Sequence, residues 1–147
     1  MSQSVHCVID ANVGIKRFIS DPLSAKTKQL LDTLRNPQTE IFIPDLFYIE
    51  VANIFWKYVR AELYPASQAQ TDLEILKKFP FKVISTSELM SDAVNLAINF
   101  RISAYDAAYV ALSRRVKAPL LTLDKKLIRA LDGSQFNLIS FVDFTFP

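Results

Sequence analysis

Glycine is almost missing: Gly14 and Gly133 are the only two in 147 residues. That excludes a phosphate-cradling P-loop and a dinucleotide fingerprint, each of which needs several glycines within a few positions. Cys7 is the only cysteine, so neither an intrachain disulfide nor a thiolate metal cluster can form. His6 is the only histidine, which removes histidine-based triads and histidine-rich zinc sites. Both fall in an expected central strand and read as core residues. No apolar run approaches the ~18 residues a membrane span needs, and no segment of signal-peptide type opens the chain. A reducing, soluble, cytoplasmic setting with no membrane is therefore expected. An excess of one charge is lacking too: 17 basic against 15 acidic residues leave a net +2, which points to no partner.

What is present is apolar material, 50% of the chain with 12% aromatic. A chain of this length buries roughly 70% of its unfolded surface, so residues 1–147 are expected to form one domain. Short apolar runs suited to buried parallel strands are Val5 to Asp10, Ile41 to Ile43, Lys82 to Ile84, Pro119 to Leu123 and Asn137 to Ser140. Helical stretches fall between them: about 11–19, 23–35, 45–62, 65–79, 87–100, 103–115 and 124–131. Asp45, Ser87 and Ser103 are the expected caps and Pro65 a first helical residue. In the third helix Phe47, Val51, Ile54, Phe55 and Tyr58 recur at helical spacing. Strands alternating with helices imply a parallel sheet covered on both faces, with ligands held beyond the carboxyl ends of its strands.

Four acids interrupt these apolar stretches: Asp10, Glu50, Asp106 and Asp124. Ionised carboxylates are rarely buried unless paired or bound to something. Asp10 and Asp124 each end a strand. Asp106 lies in a first helical turn, where right-handed crossovers bring helix starts to the same edge. From Asp106 the helix advances ~15 Å, and the strand leading to Asp124 returns ~16 Å, so the two come back to one level. Glu50 lies about 40° round its helix from Ile54, flanking the buried face, and Asn53 can share that side. Each acid alone can be a helix cap or a solvated residue, and Ser103 to Asp106 fits a capping box. Together they suit Mg²⁺ or Mn²⁺, which take oxygen ligands and retain water. Asn12 and Thr122 offer further oxygens. Basic residues follow two of the acids: Lys16 and Arg17 after Asp10, and Lys125, Lys126 and Arg129 after Asp124.

The segments Val8-Ile9-Asp10-Ala11-Asn12-Val13, Ile49-Glu50-Val51-Ala52-Asn53, Tyr105-Asp106-Ala107-Ala108-Tyr109-Val110-Ala111-Leu112 and Leu121-Thr122-Leu123-Asp124 resemble, in order and spacing, the PIN-domain ribonucleases. They are most similar to VapC-type toxins of toxin–antitoxin pairs. The resemblance implies a three-layer α/β/α sandwich with a mostly parallel five-stranded sheet, and Mg²⁺- or Mn²⁺-dependent endonucleolytic cleavage of RNA. It implies Asp10, Asp106 and Asp124 as metal ligands, Glu50 as the fourth acid of the pocket, and Asn12 and Thr122 as supporting groups. It also implies a homodimer and a small antitoxin protein. Gly14 departs from the bulkier apolar residue usual in the family.

Lys125, Lys126 and Arg129 are candidate contacts to RNA phosphates. In the hairpin 45–79, most of Phe47, Phe55, Trp56, Tyr58, Leu73 and Leu76 read as core, but there are more large apolar groups than one face needs, and part of the hairpin is the expected dimer or antitoxin surface. A haloacid-dehalogenase-like phosphatase would need an acid where Asn12 stands. A receiver domain would need paired acids after the first strand. The remaining rival is a PIN-like module that binds RNA or protein without cutting.

Overall fold

A computed structural model describes residues 3–147. It contains five strands and seven α-helices in near-strict alternation: β1 (His6–Ile9), α1 (Ala11–Ile15), α2 (Ser24–Asp32), β2 (Glu40–Pro44), α3 (Leu46–Arg60), α4 (Ala66–Leu76), β3 (Lys82–Ile84), α5 (Thr86–Phe100), α6 (Ala104–Val116), β4 (Leu120–Thr122), α7 (Lys125–Ala130) and β5 (Leu138–Ser140). The strands pair in the order β3-β2-β1-β4-β5. Every pairing is parallel, so the sheet is parallel throughout rather than mostly so. Helices cover it to give the α/β/α sandwich. The three central strands are apolar because both their faces are covered: Val8, Ile9, Ile41, Ile43, Leu120 and Leu121 have no exposed surface.

The chain builds outward from β1 to β2 and β3, then returns to the other side of β1 for β4 and β5. Strand order therefore reverses between β1 and β4. The crossover helices diverge there and leave a crevice at the carboxyl edge, which is where parallel α/β sheets place their ligands.

Local chemistry sets the boundaries, and several differ from expectation. The first helix is only five residues, after which Lys16 to Phe18 form a turn and Ile19 a bend. The second ends in a 3₁₀ turn over Thr33–Arg35. Pro65 caps α4 instead of starting it, and α4 stops at Leu76. Ser85, not Ser87, caps α5, its hydroxyl accepting from the Ser87 N–H. Asp45 occupies the cap position of α3 but makes no side-chain bond to it. Its Oδ1 instead accepts from the Thr86 N–H at 3.1 Å, because β2 and β3 are neighbours and the two helices start side by side. His6 is not a core residue: its side chain is 56% exposed, with Nδ1 3.1 Å from Glu40 Oε1 across the β1–β2 pair. It opens β1, beyond the cover of the helices. Cys7 is fully buried, and burial pushes its thiol up to about 12, leaving it inert.

The scarcity of glycine has a local cost. Glu62, Arg101 and Lys117 take left-handed backbone angles that favour glycine. At the end of α6, Lys117 sits at φ 55° and its N–H closes onto Arg114 and Ser113. Replacing exposed Lys117 by glycine should raise stability by about 0.5–1 kcal/mol, the relieved strain exceeding glycine's extra unfolded-state entropy. Urea midpoints measure this, and a lower midpoint would count against the strain.

Candidate active site

Asp10 directly follows β1 and caps α1, its Oδ1 accepting from the Val13 N–H at 3.0 Å. Asp124 follows β4 and caps α7, accepting from the N–H groups of Lys126 and Leu127 at 3.0 and 3.1 Å. Their strands are neighbours, and Thr122 joins them from its fully buried position at the end of β4. The Thr122 hydroxyl donates to Asp10 Oδ2 at 2.6 Å and accepts from the Asp124 N–H at 3.1 Å. Both acids thus act as helix caps, and the same two carboxylates line a common cavity. Each carboxylate spends part of its bonding capacity on a helix N-terminus, which fixes its direction.

Glu50 enters from α3 and Asp106 from the first turn of α6, where the Ser103 hydroxyl accepts from the Asp106 N–H. All four acids line one cavity of about 220 Å³, together with Asn12, Asn53, Ile54, Lys57 and Tyr109. Tyr109, 3% exposed, donates from its hydroxyl to Glu50 Oε1 at 2.5 Å, so two helices meet through a buried hydrogen bond at the cavity wall.

The electrostatics follow from this crowding. Burial pushes Asp10 up to about 6, partly opposed by the bonds from Thr122 and Val13 and reinforced by the charges of Glu50 and Asp106. Burial also raises Glu50, against its bond from Tyr109 and with a contribution from Asp106. Asp106 is raised by burial and by the charge of Asp124. The Tyr109 hydroxyl is pushed far above its ordinary value by burial and then by Glu50, so it stays a donor. Such a set favours anything that brings positive charge.

The donors are all hard oxygens, with no sulfur or imidazole, which fits Mg²⁺ or Mn²⁺. Among the described residues no three acidic, histidine or cysteine side chains form a ready-made ligand cage.

Asn12 and Asn53 line the cavity as their sequence positions suggested, and Thr122 stands behind it. Lys125, Lys126 and Arg129 do not line it and lie exposed on α7. Lys16 is held by Asp21 at 3.0 Å. The cation that does reach the cavity is Lys57, and among the described residues it makes no ion pair. Sequence reading passed over Lys57 and Tyr109. Lys57 follows Glu50 by seven positions and Asn53 by four, the spacing that shares a helix face. That signal was available.

Residues 7–132 match the PIN domain family. Over 122 residues the chain is 34% identical to Ribonuclease VapC3 of Pyrobaculum aerophilum, covering 82% of this chain and 90% of that protein. The chain belongs to the PIN-domain family. The same fold appears in a crystal structure of a Pyrobaculum aerophilum protein, with TM-score 0.66 and 20% identity over 88% of this chain and 82% of that one. It appears again in a toxin–antitoxin complex from Klebsiella pneumoniae, with TM-score 0.64 and 20% identity over 92% and 97% of the two chains. Within this PIN domain the four acids fall inside the matched residues, while β5 and the aromatic tail of Phe141, Phe144 and Phe146 lie beyond them.

Proposed function

We propose that this PIN domain is a Mg²⁺- or Mn²⁺-dependent endoribonuclease that acts as the toxin of a toxin–antitoxin pair. The observation that carries the reading is the convergence of Asp10, Glu50, Asp106 and Asp124, from four different elements, on one small polar cavity at the switch point of the sheet. The ribonuclease name of the similar Pyrobaculum protein and the toxin–antitoxin complex among its structural neighbours supply the substrate and partner.

Asp10, Asp106 and Asp124 would hold the cation. When bound, it lowers the pKa of a water and neutralises charge developing on the phosphoryl oxygens. Thr122 fixes the Asp10 carboxylate, while Tyr109 occupies Glu50 Oε1 and leaves Oε2 as the atom to accept a proton from the attacking water. Burial raises the proton affinity of Glu50, which favours that task. Asn12 and Asn53 supply neutral donors at the cavity rim.

Lys57 is placed to contact an RNA phosphate at the cavity mouth, with Lys125, Lys126 and Arg129 available further along the backbone. Replacing Lys57 by alanine should raise KM several-fold and lower the salt slope of binding by about one. An unchanged slope, read from KM across ionic strengths, would remove Lys57 from the contact.

For protein partners, the hairpin of α3 and α4 exposes Leu63 and Ile75, and α5 carries a second stripe of Met90, Val94 and Ile98. The homodimer and the antitoxin are assigned to these surfaces. The activity itself is tested by incubating purified protein with mixed RNA and Mg²⁺ or Mn²⁺. Endonucleolytic fragments that a chelator abolishes are expected. No cleavage with either metal would leave the non-cutting binder.

A further inference from the structure

Beside the acidic cavity lies a larger, apolar one of about 570 Å³, lined by Ile49, Ala52, Trp56 and Tyr105. The two share Glu50 and Asn53 in their linings, so they adjoin as two parts of one surface trough. Their chemistry differs sharply. The small cavity is walled by carboxylates and suits an ion and a phosphoryl group. The large one has the volume of an organic-ligand pocket and presents two exposed aromatic rings from different elements, Trp56 of α3 (56% exposed) and Tyr105 of α6 (67%).

Tyr105 immediately precedes Asp106, so the ring is carried on the same helical turn as an acid of the site. The Arg60 guanidinium lies 5.9 Å from the centre of the Trp56 ring, and Lys57 is the next residue along α3. Aromatic faces interleaved with cations, opening onto a phosphate-sized acidic pocket, match the chemistry of an unpaired nucleotide: base on ring, phosphate on cation. A partner of opposite character fits less well. An acidic peptide would meet Glu50, and a purely apolar helix would bury Asn53 and Arg60 without partners.

We propose that Trp56 and Tyr105 form a base-stacking subsite for the nucleotide flanking the scissile phosphate. This rests on the nuclease reading above. In a duplex, both faces of each base are already stacked on neighbours, so paired RNA cannot offer a base to these rings. The Asn53 side chain, on the shared wall, is placed to meet the edge of the seated base.

Trp56 is the only tryptophan in the chain, so its fluorescence reports the subsite directly. The full-length Asp10→Asn protein, which should bind without cutting, is titrated with oligoadenylate of about 12 nucleotides and with an RNA duplex of the same length. Saturable quenching by the single strand and little by the duplex is expected, with Tyr105→Ala weakening binding by about 5- to 100-fold. In the cleaving protein, Trp56→Ala should raise KM for single-stranded RNA, while Trp56→Phe should restore most of it.

Equal quenching by duplex and single strand, or none by either, overturns the proposal. So does an unchanged KM in both Trp56→Ala and Tyr105→Ala. If Trp56→Ala splits an oligomer at unchanged KM, the trough is a protein interface and the proposal fails. The two readings separate cleanly. Absence of cleavage with strand-selective quenching intact refutes the nuclease, whereas cleavage indifferent to both rings refutes only the subsite.

Discussion

Replacing Asp10 by asparagine should cut RNA cleavage by at least about a hundredfold and raise the melting temperature of the metal-free protein by about 3–6 °C near pH 8. The two effects share one cause. The Asp10 carboxylate is crowded by burial, Glu50 and Asp106, so its folded-state pKa is about 6 against an ordinary 3.8. A raised pKa means that the folded protein prefers the protonated acid. The favourable contribution is complete below about pH 4 and is lost as pH climbs through 6, where the buried charge must form without a counter-ion.

Two pH units correspond to about 3 kcal/mol at most. Partial exposure of the residue brings the expected gain from asparagine to about half of that. Asparagine keeps an oxygen for the Val13 N–H and an amide to face Thr122, so the cap survives. The melting difference between parent and variant should therefore vanish toward pH 4 and be full by pH 8. Added Mg²⁺ should stabilise the parent and leave the variant unmoved. A variant that melts below its parent at pH 8 would show that the acid is not strained.

The largest effect on folding is expected at Phe47. This ring has no exposed surface and fills the space against α1 that a side chain at position 14 would otherwise occupy. A Cβ added to Gly14 would stand 2.7 Å from Phe47 Cζ and 3.0 Å from Cε2. Glycine inside a helix costs about 0.5–1 kcal/mol relative to alanine, so its presence in α1 reflects the close approach of α3. Phe47→Ala should cost about 3–5 kcal/mol. Gly14→Leu alone should cost about 1–3 kcal/mol through overpacking. Combined, they exchange volume across the α1–α3 contact, and the double variant should be more stable than the sum of the two by at least about 1 kcal/mol. Additive denaturation free energies would show that the two positions do not compensate. Because α1 starts at the Asp10 cap, the single variants should also lose activity.

Gly14 thus has a physical counterpart: the bulk at the α1–α3 contact is supplied by Phe47 of α3. Much else was open to sequence reading because it rests on short-range patterning. Strand and helix order follow from apolar runs broken by prolines and polar caps, and all four acids could be placed at one edge from strand ends and helix starts. What escaped depends on partners far along the chain. Asp45 looks like the cap of its own helix, and only the adjacency of β2 and β3 hands its carboxylate to α5. His6 looks buried because its strand is central, yet it is the first residue of that strand. The Tyr109–Glu50 bond spans 59 positions, and no local pattern announces it. Lys57 could have been found from its spacing to Glu50. The predicted phosphate contacts after Asp124 drew on charge order alone, and α7 leaves them outside the cavity.

The hydrogen bond from Thr122 to Asp10 crosses 112 positions of sequence, and the acids it helps to align are spread from residue 10 to residue 124. A ribosome adding about 5–20 residues per second takes roughly 6–22 s to travel between those ends. Throughout that interval β1 lacks β4, Asp10 lacks its tether and the cavity lacks its fourth wall. A nascent chain that stops short of β4 therefore has neither the tether nor the complete set of acids. The cavity can close only after its last acid has left the ribosome, so assembly of the site is tied to the final stages of folding rather than to its beginning.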